Sequence, residues 1–366
     1  MTARRSAPQR DGLGVGRPAV DIVVTNHDYA DFLAHALDSA LDQTFPGRVI
    51  VVDDGSGDAS RDVIAAYGDR VVAILKENGG QASAVNAGFG RCEADIVLFL
   101  DADDVLEPRA AETVSALFAQ HPTLARVHYP MAVIDDAGRP TGAVRPPVHL
   151  SLPAGDLART TLRTPFDRPW AAMSGNAFGA SILRRILPMP EGGAVGADWY
   201  LVHLSSLYGP VGAVPGVLAR YRVHGANAYE TGDSELDLDH LRATVAFAAA
   251  TREHLVAHAR TLGLPLHRLG MASMSDIGNR IISVRLAPES HPVPDDDRRG
   301  LLALATRACR LRSDVRWPLK AVFLAWMAAM VVVPRGVVPA LAAPFLFPDR
   351  RRAINSLLGR LAVRPA

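Results

Sequence analysis

Four short apolar runs, each followed by polar residues and a segment with helical spacing, constrain the fold of this chain most strongly. They cover residues 19–25, 48–52, 70–75 and 96–100. Short apolar runs bounded by polar residues are typical of strands that are covered on both faces, and their alternation with helices favours a parallel sheet. We therefore predict an α/β fold: a doubly wound, mostly parallel sheet with helices on both faces. Right-handed crossovers would bring the polar loops after these strands to one edge of the sheet.

The last of these runs leads directly into Asp101-Ala102-Asp103-Asp104. Three carboxylates within four positions repel one another, and burying them without partners is costly. A divalent cation such as Mg²⁺ or Mn²⁺ that also binds a diphosphate would relieve the repulsion, because both ions prefer carboxylate and phosphate oxygens. The residues alone leave open a solvated acidic loop before the helix that follows Pro108. For Asp104 we favour a role as the cap of that helix over a supporting role at the metal.

Composition limits the remaining classes of function. The chain has 366 residues and a formal net charge of +1, so nothing in its overall charge favours nucleic acid as a partner. Cys92 and Cys309 show no metal or redox spacing, which fits a reducing compartment. Residues 1–18 lack the apolar stretch of a signal peptide. We expect them to be a disordered lead-in on a cytoplasmic protein.

Residues 317–347 form a mainly apolar segment near the C-terminus, and from residue 321 onward Arg335 is its only charged residue. Its first apolar half, residues 321–333, would span about 20 Å as a helix, against roughly 30 Å for a hydrocarbon core. Basic residues precede the segment and follow it at 350–352. We therefore predict a peripheral or re-entrant segment at the cytoplasmic face of an inner membrane. A single tilted span and a buried helix pair or oligomer contact remain alternatives.

Several motifs occur in an order and spacing that resemble family 2 glycosyltransferases. They are Val24-Thr25-Asn26-His27-Asp28-Tyr29, Val51-Val52-Asp53-Asp54-Gly55-Ser56, Asn86-Ala87-Gly88, Leu100-Asp101-Ala102-Asp103-Asp104, Gly196-Ala197-Asp198-Trp199 and Tyr221-Arg222-Val223-His224-Gly225-Ala226-Asn227. The resemblance implies a GT-A fold over residues 19–228. The residue pattern after it predicts a helical region over 229–366. The resemblance also implies inverting sugar transfer from a nucleotide-diphosphate sugar.

The resemblance assigns the strand ends to donor binding. Asp53 and Asp54 would contact the nucleobase or ribose, although Asp-Gly-Ser is also ordinary turn chemistry. Gly79 and its neighbour Gly80 would let the backbone approach the nucleotide without a Cβ atom. Lys76 is either a base-edge contact or a solvated charge, and we favour the latter. The remaining donor-binding candidates are Thr25, Asn26, Tyr29, Asn78, Asn86, Asp101 and Arg222. For Arg222, a bidentate phosphate contact and an ion pair with an aspartate are both open.

The resemblance also implies a divalent metal, Mg²⁺ or Mn²⁺, on Asp101, Asp103 and His224, with a structural histidine as the alternative for His224. Asp198 would be the general base that takes the proton of the acceptor hydroxyl; the alternative is a simple helix cap. Trp170 and Trp199 would stack on sugar rings or belong to the core. Residues 174–176 would line the acceptor side.

Processive, polymerising members of the family carry a QxxRW-type motif, and none follows Asp198. The resemblance therefore implies transfer of a single sugar. We expect the acceptor to be a glycan or a lipid-linked glycan. A sugar-nucleotide nucleotidyltransferase and an inactive nucleotide-sugar-binding protein remain alternatives. A Rossmann dehydrogenase is disfavoured, since no G-x-G-x-x-G follows the first strand.

Overall fold

The computed structural model describes residues 17–147, 150–192, 196–225, 227, 236–267 and 271–346. The predicted lead-in up to residue 16, Phe347 of the apolar segment and the basic residues 350–352 lie outside the described residues.

A seven-stranded sheet forms the centre of the molecule. Its strands are β1 (Val20–Asn26), β2 (Arg48–Asp54), β3 (Val72–Lys76), β4 (Ile96–Asp101), β6 (Arg126–His128), β9 (Asn176–Gly179) and β10 (Val211–Ala213). Their spatial order is β10-β6-β9-β4-β1-β2-β3. All neighbours are parallel except for β9, which is antiparallel to both β4 and β6. The predicted mostly parallel sheet is therefore confirmed.

A smaller sheet lies beside the carboxyl end of β4 and follows the order β5-β11-β7-β8. Its strands are β5 (Val105–Leu106), β7 (Met131–Ile134), β8 (Pro140–Arg145) and β11 (Ala219–Arg222). Antiparallel pairing of β5 with β11 brings residues 219–222 next to the segment that follows Asp104. This sheet therefore carries two distant parts of the chain to the acidic loop.

Helices cover both faces of the large sheet. They are α1 (Ala30–Leu41), α2 (Ser60–Tyr67), α3 (Gln81–Phe89), α4 (Ala110–Gln120), α5 (Ala158–Thr161), α6 (Ala180–Ile186) and α7 (Ala197–Ser205). Alternate residues of each strand point to opposite faces. Ile22 and Val24 accordingly pack in the cluster that contains α1, α2 and α4. Val23 packs in the cluster that contains α3, α6 and α7. The sheet is thus buried between two helical layers, as predicted.

The strand register sets the position of the polar strand ends. Asn26 pairs with Asp53 across β1 and β2, and Thr25 pairs with Asp101 across β1 and β4. The carboxyl ends of β1, β2 and β4 therefore bring these side chains to one edge, as the sequence predicts.

The C-terminal region is helical, with α8 (Leu238–Thr261), α9 (Met274–Leu286), α10 (Arg298–Leu311), α11 (Trp317–Val332) and α12 (Val338–Leu346). Leu255 and Ala259 of α8 complete the cluster behind α7, while α9 to α12 enclose a third hydrophobic cluster. Asp276 of α9 forms buried ion pairs with Arg252 and Arg280. The region therefore has its own core and also packs against the sheet layer.

The apolar segment forms two helices, α11 and α12, with one buried and one exposed face. Phe323, Met327 and Met330 are buried in the third cluster. Trp317 and Val332, in contrast, are 77% and 78% exposed. Within the ranges described above, we find no helix whose length and apolar character would suffice to cross a membrane.

Candidate functional site

The carboxylate of Asp101 lies at the end of β4 and is held by two neighbouring strands and loops. Its Oδ1 accepts hydrogen bonds from Gln81 Nε2 at 3.0 Å and Thr25 Oγ1 at 3.3 Å. Burial, together with the nearby charges of Asp103 and Asp198, raises the pKa of Asp101 to about 7. The structure therefore brings the predicted metal-binding acids and the predicted base into one electrostatic environment.

Asp103 faces the closing loop after β11. Its Oδ2 lies 3.2 Å from His224 Nε2 and 3.3 Å from Asn227 Nδ2. Burial raises the pKa of Asp103, and the hydrogen bond from His224 partly opposes the shift. The His224 ring itself packs edge-on to Tyr29 and against Phe32, with ring centres 5.5 and 4.6 Å apart. The predicted ligands thus converge, although no three His, Cys, Asp or Glu side chains in the described ranges have a ready-made metal-ligand arrangement.

Asp104 is 1% exposed, and its Oδ1 accepts a hydrogen bond of 2.9 Å from the backbone N–H of Arg222. Helix α4 begins only at Ala110, with Arg109 at its cap position. The helix-cap interpretation of Asp104 is therefore wrong: the carboxylate instead ties the acidic loop to β11.

Arg222 is 1% exposed, and the backbone, not solvent, surrounds its guanidinium. Its Nε donates to the carbonyl oxygen of Asp103 at 2.8 Å, and Nη1 donates to that of Asp136 at 2.9 Å. A buried guanidinium must satisfy its donors locally, and these carbonyls do so. The contacts do not support the expectation that Arg222 binds the diphosphate; they make it an anchor of the acidic loop.

Asp53 is fully buried behind the strand ends. Asn26 Nδ2 donates to its Oδ1 at 3.0 Å, and Arg61 Nε donates to its Oδ2 at 2.9 Å. Burial alone would raise the pKa of Asp53, but hydrogen bonds from Ser56, Arg61 and Asn26 outweigh it and lower the pKa. Asp53 therefore stays ionised and fixes Asn26 at the sheet edge.

Asp54 joins two loops of the same edge. It pairs with Lys76 and accepts the backbone N–H of Gly79 at 3.1 and 3.2 Å. Lys76 is thus an ion-pair partner and not the solvated charge that we favoured. Gly55 has φ +78°, and a Cβ atom there would lie 2.4 Å from the backbone nitrogen of Asn78. Glycine at this position lets the loops after β2 and β3 meet.

Asn86 does not face the strand ends as a ligand contact would. Its amide nitrogen donates to Met189 O at 2.9 Å and Glu191 Oε1 at 3.0 Å, while its oxygen accepts from Met189 N at 2.9 Å. Both N–H donors are therefore engaged, which corrects the expectation of nucleotide binding. The side chain anchors the 189–191 loop to α3.

Asp198 is the second residue of α7, after Gly196 at the cap position. Its Oδ1 accepts the backbone N–H of Trp199 at 2.8 Å, and burial raises the pKa of Asp198 to about 6. The positive end of the helix dipole favours the ionised form against that burial. The carboxyl group is thus able to exchange a proton near neutral pH.

Aromatic rings surround the start of α7. Trp199 packs edge-on to Trp170 with ring centres 5.3 Å apart, and Phe166 packs on Trp199 at 4.8 Å. Both tryptophans remain partly exposed. Ser174 and Asn176, in contrast, are fully buried, so residues 174–176 do not line an acceptor surface as expected. Ser174 Oγ accepts the backbone N–H of Asp101 at 3.0 Å and supports the acidic loop.

Two polar contacts of this site escaped the sequence analysis. Gln81 holds Asp101, and Arg61 holds Asp53. Gln81 directly follows the glycine-rich loop after β3, which is the signal that could have identified it. Arg61 offers no such signal because it lies on an ordinary helix face.

Comparison with known proteins identifies the family. The family model described as glycosyl transferase family 2 matches residues 21–163. An uncharacterized glycosyltransferase from Nostoc is 30% identical over 221 residues, which cover 59% of this chain and 68% of the relative. The chain belongs to glycosyltransferase family 2. Chondroitin synthase from Pasteurella multocida is 38% identical to this glycosyltransferase over 115 residues, covering 30% of this chain but only 12% of the synthase.

A solved structure supports the fold of this glycosyltransferase. TarS from S. aureus, in a crystal structure with UDP-GlcNAc, superposes with a TM-score of 0.54 at 13% sequence identity. The match covers 91% of this chain and 92% of that chain, which holds residues 1–349 of TarS. The GT-A fold expected from the sequence is therefore confirmed, and the chain is an enzyme of the glycosyltransferase class.

Proposed function

We propose that this glycosyltransferase transfers a single sugar, with inversion, from a nucleotide-diphosphate sugar to a hydroxyl of a glycan or lipid-linked glycan. The observation that carries the proposal is the shared environment of Asp101, Asp103 and Asp198, since charge on both partners raises the pKa of Asp101. In the transfer reaction, the donor and the base act at one sugar carbon, so the residues that bind them must lie close together. The shared environment of the three aspartates supports this requirement. TarS, which has the same fold, was crystallised with UDP-GlcNAc.

The acidic loop has the chemistry of a divalent-metal site. Asp101 and Asp103 are oxygen ligands whose pKa values are raised, in both cases chiefly by burial, so a cation would relieve an unfavourable arrangement. His224 Nε2 lies 3.2 Å from Asp103 Oδ2, and we propose it as the third ligand. A bound Mg²⁺ or Mn²⁺ would neutralise charge on the leaving diphosphate. Arg222 and Asp104 keep this loop in place.

The nucleotide half of the donor would lie along the ends of β1, β2 and β3. Asp53 and Asp54 are buried and held by Arg61, Lys76 and the Gly79 amide, so they would shape the nucleotide site through Asn26 and Gly79. We propose that the other contacts come from residues at the same edge. They are Thr25, Asn26, Tyr29, Asn78 and Gly79.

Asp198 is the proposed general base. It would accept the proton of the acceptor hydroxyl as that oxygen attacks the sugar, a role that contributes typically 10²–10⁴-fold to the rate. A pKa of about 6 leaves the carboxylate mostly ionised at neutral pH. Trp170 and Trp199 beside it offer ring faces on which an acceptor sugar can stack.

A transfer assay with radiolabelled nucleotide sugars and Mn²⁺ tests the proposal. Asp103→Asn should abolish turnover and weaken donor binding, whereas Asp198→Asn should abolish turnover and leave donor binding intact. Asp69→Asn, an exposed aspartate beyond α2, is the matched control and should behave as wild type. Equal loss of binding and turnover in Asp198→Asn would reject the assignment of Asp198 as the base.

The same assay distinguishes the alternative functions. A nucleotidyltransferase would instead release pyrophosphate from a nucleoside triphosphate, and an inactive binding protein would bind the donor without turnover.

We propose that residues 19–228 form the catalytic domain and that the helical region 229–366 brings it to the cytoplasmic face of a membrane. The support is the apolar outer face of α11, where Trp317, Val322 and Val332 are exposed. Interfacial segments bind through such apolar faces with basic flanks.

Co-sedimentation with vesicles that contain anionic phospholipid tests the membrane proposal. The wild type should pellet with vesicles, and the double variant Trp317→Ser/Val332→Ser should remain in the supernatant. Val72→Ser, a substitution of an exposed valine on β3, is the control and should pellet. If the wild type stays in the supernatant, the exposed apolar face does not bind membranes and the membrane proposal is wrong.

A further inference from the structure

Arg126 of β6 is an arginine buried without a carboxylate partner. It is 2% exposed, and its Nη1 donates to the side-chain oxygen of Asn176 at 2.7 Å. Its Nε has no hydrogen-bond partner, and no ion pair joins it to an acid in the described part of the chain. A guanidinium keeps its charge in proteins, so burial without a counter-charge is strongly unfavourable.

Arg126 lines a small cavity between the sheet and helices α5 and α7, with a volume of about 40 Å³. Other lining residues are His203, Thr160, Thr164, Ser206 and the exposed Arg168. No aspartate or glutamate is among its described lining residues. Cationic and hydroxyl groups thus meet in the cavity with no anionic side chain to balance them.

The pKa values of the basic groups agree with a cavity that lacks an anionic side chain. Burial lowers the pKa of Arg126 to about 9. Burial, with a further contribution from the charge on Arg126, lowers the pKa of His203 to about 4. A negative charge in the cavity would stabilise the charged form of Arg126, whose burial has no acidic side chain to offset it.

We propose that this cavity binds one small oxyanion of the carboxylate or phosphate class. The guanidinium fork matches both groups, and the hydroxyls of Thr160 and Thr164 supply further donors. A water molecule needs roughly 10–15 Å³ of such volume, so the cavity has room for one small anionic group and not for a sugar ring.

The location links this anion site to the acceptor side of the enzyme. Helix α7 carries Asp198 and Trp199 at its start, and His203 of α7 and Ser206 directly after it line the cavity. Trp170 lines the cavity and also packs on Trp199. The oxyanion is therefore either a free ion that fixes α7 or the charged group of an acidic acceptor, and the two sources share one chemistry.

Thermal unfolding of the full chain, with inorganic phosphate or acetate titrated at constant ionic strength, tests the proposal. Isethionate, a bulky anion, replaces phosphate or acetate where needed to keep the ionic strength constant. The wild type should show a saturable rise in melting temperature. Arg126→Gln should weaken the apparent affinity about tenfold or more, as expected when a charge-assisted hydrogen bond is lost. Arg159→Gln, which changes an exposed arginine of α5 outside the cavity, should leave the affinity unchanged.

Further measurements test whether Arg126→Gln folds and where the anion comes from. Circular dichroism shows whether Arg126→Gln folds; if it does not, Arg168→Gln at the exposed rim should still weaken binding several-fold. Methyl glucuronide compared with methyl glucoside tests an acceptor-borne carboxylate, and a shift with the glucuronide alone would assign the anion to the acceptor. No saturable shift with phosphate, acetate or glucuronide, or equal shifts in wild type and Arg126→Gln, would overturn the proposal. These measurements need no donor, so their failure leaves the proposed transfer reaction untouched.

Discussion

The acid side of the pH–rate profile should report the ionisation of Asp198. A general base works only when it is ionised, so a raised pKa moves the loss of activity to higher pH. With a pKa of about 6, the carboxylate is about one-tenth ionised at pH 5 and about nine-tenths ionised at pH 7. The turnover number should therefore fall roughly tenfold between pH 7 and pH 5, instead of falling only below pH 4 as for an ordinary aspartate.

The assay is the initial rate of sugar transfer at saturating donor, Mn²⁺ and acceptor, measured at half-unit steps from pH 5 to pH 8. Asp198→Asn should lower the turnover number by about 10²–10⁴-fold, and the residual rate should lose its acid limb. Donor affinity, measured in parallel, separates this effect from titration of Asp101, whose pKa is raised to about 7. A limb near pH 6 that persists in Asp198→Asn would refute the assignment of the base.

Two further predictions concern stability. Gly88→Ala should destabilise the protein by about 1–3 kcal/mol in urea unfolding, because a Cβ atom there would lie 2.4 Å from Val23 Cγ1. Gly90→Ala, at the end of the same helix, has no contact closer than 3.4 Å and should be neutral; equal effects would contradict the packing argument. Asp276→Ala should cost about 1–3 kcal/mol, since buried Arg280 loses one of its two acids but keeps Asp296. A loss below about 1 kcal/mol would show that the ion pair is dispensable.

The sheet and its acidic edge were predictable because their signals are local. The apolar runs of β1, β2 and β4 are long enough to specify buried strands, and each strand ends in polar residues. The position of Asp53 next to Asn26 then follows from parallel pairing. The convergence of Asp101 and Asp103 on one edge therefore required no knowledge of the tertiary structure.

Polar residues that support the site were harder to place. Arg222, Asn86 and Ser174 were expected to contact ligands, but they bond to protein groups distant in sequence. Sequence specifies which groups must be hydrogen-bonded, but not whether a ligand or a carbonyl satisfies them. Asp104 shows the same limit, because its partner is the N–H of Arg222, 118 residues away.

The C-terminal apolar segment matches one of the expected interpretations, a buried helix pair, and also leaves an apolar face exposed. Met327 and Met330 pack inside the third cluster like a buried helix pair, while Trp317 and Val332 face outward. Apolar composition on all sides of a helix does not show which face meets protein. Only the packing of α9 and α10 against α11 reveals it.

The central claim is that the carboxylates beyond β4 bind the diphosphate of the donor through a divalent metal. Binding of a panel of nucleoside diphosphates, measured by thermal shift with Mn²⁺ or with EDTA, tests it most directly. One diphosphate with Mn²⁺ should stabilise the wild type by about 2.7 kcal/mol at a hundredfold excess over Kd. EDTA or Asp103→Asn should remove that stabilisation. Equal stabilisation by a nucleoside diphosphate in wild type and Asp103→Asn, with or without Mn²⁺, would contradict the claim.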